Sequence, residues 1–167
     1  MIQILDDKEE QPSKTQSEVL SLYDQDFLLW SEDTAAKLRA QDFENLDLAN
    51  LIEEVESLGR SNRKELSSRL IRLLEHLLKR MYVELPENYR GWEDTIRHQR
   101  LELQLLIKDS PSLKTIWSER LEQAWEVALE TVREDYPKVT FPDRFPYSTD
   151  VDTLLNQKYQ KYWEIES

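Results

Sequence analysis

Leu46-Asp47-Leu48-Ala49-Asn50-Leu51-Ile52-Glu53-Glu54-Val55-Glu56-Ser57-Leu58-Gly59-Arg60 runs without a proline into residues 61–82, and this stretch decides the fold. Leu48, Leu51, Ile52, Val55 and Leu58 recur at i, i+3, i+4 and i+7, the period of an amphipathic helix, with Asp47 placed to cap its first turn. Past Gly59, residues 62–84 carry Leu66, Leu70, Leu73, Leu74, Leu77, Leu78 and Met81 over a face too wide for a surface helix. So wide an apolar face belongs at the centre of a bundle. Gly59 leaves two alternatives: a break, with Ser61 or Asn62 capping a new helix and Asn62 and Glu65 at capping-box spacing, or one continuous helix at a cost of about 1 kcal/mol relative to alanine.

Working outward, Phe27, Trp30, Thr34 and Leu38 predict a helix over 24–41, followed by a loop at 41–47. Residues 1–20 are polar and unpatterned, the composition of a mobile acidic tail. Downstream, Pro86 closes the leucine-rich helix, and Trp92, Ile96, Leu103 and Leu106 mark a helix over 90–109. Asp109-Ser110-Pro111 ends that helix and starts the next, over 111–135, with Ser110 as cap and proline at the first helical position. Its inward side is Leu113, Trp117, Leu121, Ala124, Ala128 and Val132, and its outward side Glu119, Glu122, Glu126 and Glu130. Phe141-Pro142 and Phe145-Pro146-Tyr147 form an extended aromatic strap across the bundle. Thr149 then caps a short helix near 150–157, and Tyr159, Tyr162 and Trp163 are expected to dock on the bundle or on a partner. The expected fold is all-α: a tail at 1–20, then a single-domain bundle of five to six helices over 21–167.

Composition narrows the function classes. The 167 residues hold two glycines, too few for a turn-rich β fold, and no cysteine, which removes disulfides, thiolate metal sites and cysteine nucleophiles together. No basic leader followed by an apolar core opens the chain, and nowhere do 18 apolar residues run together, so a soluble cytoplasmic protein is expected, without a membrane partner. Serine hydrolase chemistry lacks a G-x-S-x-G element, and nucleotide binding lacks a glycine-rich loop.

The net charge of −12 opposes binding to nucleic acid, whose affinity comes largely from lysine and arginine. The charge is unevenly spread: residues 1–59 carry −11, residues 60–100 carry +4 and residues 101–167 carry −5. Residues 60–80 hold seven bases against two acids, which leaves that helix as a route to an anion, a nucleic-acid backbone or an acidic protein. Arg69, Arg72, His76, Lys79 and Arg80 are its candidate binding residues, and a helical wheel puts His76 among the arginines, opposite the leucines. The simplest alternative is neutralisation of this face by acidic residues of the bundle or of a second copy. Gln99 falls in the apolar stripe of Trp92, Ile96 and Leu103, so Gln99 with Arg100 forms a second candidate site, weighed against a buried amide satisfied by its neighbours. Trp30, Trp92 and Trp117 read as core anchors, Trp125 and Trp163 as partner-facing. No metal or cofactor is expected, because Glu75 and His76 are adjacent where bundle di-iron sites need Glu-x-x-His; the alternative is a divalent ion held by Glu53, Glu56 and His76.

Five blocks appear in order: Tyr23-Asp24-Gln25-Asp26-Phe27 with Trp30; Leu51 to Arg60; His76-Leu77-Leu78-Lys79; Trp92 with Thr95-Ile96-Arg97 and Gln99-Arg100; and Asp109-Ser110-Pro111-Ser112-Leu113. In this set the chain resembles the largely cyanobacterial family known as domain of unknown function twenty-nine. The resemblance implies an all-helical fold and a cyanobacterial source, and it carries no catalytic residues. The residues themselves point to an interaction or adaptor protein using the basic helix and the aromatic strap, with another protein or a second copy as partner. The alternatives are a metal-dependent hydrolase or nuclease-like enzyme built on Glu53, Glu56 and His76, and a toxin-neutralising or regulatory protein whose acidic surface masks a basic partner.

Overall fold

A computed structural model describes residues 21–146 and 148–156. The expected tail at 1–20, Tyr147 of the strap, and Tyr159, Tyr162 and Trp163 lie outside the described residues. Among the described residues every regular element is a helix, and no helix is long and apolar enough to cross a membrane. The chain divides into two units, Met1–Glu54 and Val55–Ser167.

In the first unit the helix expected over 24–41 is two helices, α1 (Leu22–Gln25) and α2 (Phe27–Ala40). Asp26 between them is extended, with φ −152° and ψ 94°. Its backbone N–H donates to the Leu22 carbonyl, while its carboxylate accepts the Leu29 N–H at 2.9 Å and caps α2. Such a break is invisible to periodicity, because one capping residue leaves the apolar spacing on either side unchanged. Gln41 ends α2 in the left-handed region at φ 59°. Asp47 caps α3 (Leu48–Tyr82), as its position predicts: it accepts the Asn50 backbone N–H at 3.4 Å and the Asn50 side-chain amide at 2.8 Å. It also accepts the Trp30 indole N–H at 3.1 Å, and these bonds, led by the Asn50 amide, hold its carboxyl below the usual range. Tyr23 meets the Trp30 ring edge-on at 4.9 Å and donates its hydroxyl to Glu54 at 2.5 Å.

The second unit is built around the remainder of α3, which is unbroken at Gly59 and settles that alternative for a continuous helix. Asn62 therefore caps nothing; its side-chain amide donates to the Ser110 hydroxyl at 3.0 Å. Pro86, expected to close this helix, is instead the first residue of α4 (Pro86–Asp109). Contacts of Asn62 with Ser110, Arg69 with Glu102 and Arg80 with Glu93 show α4 running antiparallel to α3. Ser110 makes no side-chain cap bond, and the chain turns through a 3₁₀ segment, Pro111–Ile116, into α5 (Trp117–Asp135). The core joins Leu66, Leu70, Leu73, Leu74, Leu77 and Leu78 of α3 to Ile96 and Leu103 of α4 and to Trp117, Leu121, Ala128 and Val132 of α5. Full burial of each leucine contributes roughly 1.5–3 kcal/mol.

The strap crosses as expected: Phe141 packs edge-on against Tyr82 at 5.9 Å and Phe145 against Trp125 at 5.3 Å. Trp125, expected to face a partner, is 8% exposed. The cap of α6 (Val151–Asn156) is Asp150, not Thr149: its carboxylate accepts the Thr153 N–H and hydroxyl, each at 2.9 Å. The Thr149 carbonyl is taken instead by the Trp117 indole at 3.0 Å. Trp30, Trp92 and Trp117 are buried as expected.

A Cβ added at Gly59 would lie 3.6 Å from Arg63 Nη2, ordinary van der Waals contact with a flexible side chain. Gly59→Ala is therefore expected to gain helix propensity without strain and to raise stability by about 0.5–1 kcal/mol. A urea melt of the two proteins checks this, and a destabilised alanine variant would mean that the helix needs its glycine.

Candidate functional site

Three basic residues of α3 are placed on two neighbours. Arg69 is held by Glu65 at 2.8 Å and by Glu102 of α4 at 2.9 Å. Arg80 donates to Glu93 of α4 at 2.6 Å, and its guanidinium lies 4.1 Å over the Tyr89 ring. Lys79 reaches Asp135 at the end of α5 at 3.0 Å and sits 5.8 Å from the Tyr136 ring. Arg72 is exposed. Three of the four cations of this face thus join α3 to α4 and α5, at side-chain exposures of 23%, 14% and 16% for Arg69, Lys79 and Arg80.

His76 departs from the helical wheel, being only 7% exposed. Two helices pack on this part of α3, so the buried arc is wider than the leucine stripe alone implies. Its Nδ1 lies 2.9 Å from the Arg72 carbonyl. Burial holds the imidazole below its ordinary value of 6.5, partly opposed by the Arg72 carbonyl and assisted by the charges of Arg72 and Lys79. The second candidate pair is also inverted. Arg100, at 5% exposure, shares the buried face of α4 with Trp92, Ile96 and Leu103, while Gln99 is half-buried.

The alternative metal set is not assembled. Glu56 and His76 stand twenty residues apart on one continuous helix, roughly 30 Å at 1.5 Å per residue, too far to share an ion. Glu56 pairs with Arg60 at 3.5 Å, and Glu53 is exposed. Among the described residues no group of three histidines or carboxylates could hold a metal ion. A groove of about 560 Å³ beside α5 is lined by Leu121, Trp125, Leu129 and Phe145, with Glu122 and Glu126 on its wall.

The feature that sequence reasoning missed lies in the first unit. Leu48 and Ile52, expected in the core, are 57% and 50% exposed, and Phe27, Leu28, Leu29 and Phe43 are exposed by half or more. Trp30 is the one fully buried apolar side chain among residues 21–54. The same residues hold nine acids and two bases, a net of −7. In the second unit Val55 and Leu58 are likewise exposed, at 59% and 68%, because α4 ends where Ser110 meets Asn62. The available signal was the run of Glu53, Glu54 and Glu56 among these leucines, which fits a solvated helix better than a core one.

Reversing Arg80 to Glu would set a carboxylate against Glu93 and remove the contact with Tyr89, an expected loss of about 1–3 kcal/mol. Combining it with Glu93→Arg should restore part of that loss in a double-mutant cycle; no recovery would show the pair to be energetically idle. For His76 the neutral form is favoured in the folded protein, so its contribution is present above the ordinary histidine value and is lost as the pH falls. Between about pH 7.5 and 5.5, above the ordinary carboxylate range, urea melts should show stability falling in the wild type and falling less in His76→Gln.

No curated protein and no solved structure matches the chain. The profile described as Domain of unknown function DUF29 matches residues 22–160, which takes in α1 through α6 and the paired arginines of α3. With most of its length under that one profile, the chain belongs to the DUF29 family.

Proposed function

We propose that this chain is a cytoplasmic interaction or adaptor protein that binds another protein through its N-terminal unit. The observation that carries the reading is the imbalance within residues 21–54, where one apolar side chain is buried and Phe27, Leu28, Leu29, Phe43, Leu48 and Ile52 remain in solvent. Large apolar side chains left in solvent in such number within one short unit favour an interaction site. Intramolecular pairing of Arg69, Lys79 and Arg80 moves the expected surface away from the basic helix, because binding there would require breaking part-buried pairs. The hydrolase alternative has no comparable support, since its proposed ligands Glu56 and His76 are separated along α3.

Leu48→Ser with Ile52→Ser removes exposed side chains and should leave the helical content and melting temperature nearly unchanged. Affinity capture from the native cell extract should then lose a stoichiometric partner that the wild type retains, whereas Arg72→Glu should retain it. Identical captures by the wild type and the double serine variant would place the interaction elsewhere.

A further inference from the structure

The charge around this surface says what kind of partner it fits. We infer that the N-terminal unit docks a cationic amphipathic helix of a partner protein, laid against Leu48 and Ile52 of α3; this rests on the interaction reading above. Leu48 and Ile52 are one helical turn apart and each at least half exposed, the i, i+4 spacing at which a helix presents anchors to another helix. The segment that carries them is acidic: Asp42, Glu44, Asp47, Glu53 and Glu54 fall within residues 42–54, no lysine or arginine does, and Asp47 and Glu53 adjoin the two anchors in sequence. Apolar anchors supply affinity for any helix with a leucine stripe, and the carboxylates select among such helices by attraction and repulsion.

The same charges argue against the other occupants. A second copy would bring the same acids against themselves, since a two-fold contact repeats one patch on both sides. The chain's own residues 1–20 hold five acids and two bases, so they too carry negative charge into an acidic surface. An anionic membrane is repelled for the same reason. A lysine-flanked stripe gains from both components of the surface. Raised salt should weaken the complex without abolishing it, because screening acts on the charges and leaves apolar burial intact.

The test uses the full chain and three labelled synthetic helices read by fluorescence anisotropy: a leucine stripe flanked by lysines, the same stripe flanked by glutamates, and a scrambled lysine–leucine peptide without a stripe. The lysine-flanked helix should bind at least about tenfold more tightly than either control, and Leu48→Ser with Ile52→Ser should weaken it by a similar factor while circular dichroism stays unchanged. Equal binding of the lysine- and glutamate-flanked helices would overturn the assignment of a cationic partner and leave the interaction surface standing. Binding of the scrambled peptide as tightly as the striped one would reduce the effect to bulk charge and overturn helix docking. Failure of every peptide, with the double serine variant still losing its captured partner, would also overturn the inference alone. Failure with captures unchanged would remove the interaction reading as well. A doubled mass in solution that the double serine variant abolishes would assign the face to a second copy and overturn the proposal.

Discussion

The antiparallel seam between α3 and α4 is the constraint on which the second unit depends. Leu66, Leu70, Leu73 and Leu77 supply an apolar ladder without directional preference, and hydrophobic burial alone tolerates a slip of one turn. Arg69 with Glu102 and Arg80 with Glu93 make a slip costly, because part-buried charges would lose their partners. Once that register is set, Ser110 falls opposite Asn62 and the 3₁₀ segment directs α5 back along the seam, where Asp135 meets Lys79. The strap then closes on side chains already positioned, Phe141 on Tyr82 and Phe145 on Trp125.

That arrangement redistributes charge in a way the linear sequence hides. Seven bases between residues 60 and 80 look like a binding face when counted along the chain. In the folded unit, three of those cations, Arg69, Lys79 and Arg80, are taken by carboxylates of α4 and α5. Upstream, residues 21–54 carry nine acids against two bases, and there the apolar residues are least covered. A surface joining exposed leucines to carboxylates is a poor core and a selective interface, because the acids discourage indiscriminate association while the apolar groups still gain from burial.

His76 and Arg100 show a second consequence of packing. Each is a polar residue set by tertiary contact on a buried face, and each was read on the wrong side of its helix or beside the wrong neighbour. A helical wheel gives angles accurately but not the width of the buried arc, which depends on how many helices pack against the one in question. The amide of Gln99 and the guanidinium of Arg100 lie about 100° apart on α4, so a modest change in that arc exchanges their environments.

The sequence by itself determined that the chain is all-helical and where most helices stop, because proline geometry and apolar period are local. Of its expected caps only Asp47 holds, while Ser110 and Thr149 do not cap. Asp47, the boundary at Asp109-Ser110-Pro111, the leucine face of α3 and the three core tryptophans could all be read from it. Continuity through Gly59 lay beyond it, since a cost near 1 kcal/mol is smaller than the packing that offsets it. The break at Asp26 and the exposure of Leu48 and Ile52 lay beyond it as well. An apolar stripe reports that a face can be buried, and whether anything covers it depends on where other parts of the chain end. Only the tertiary structure decided that.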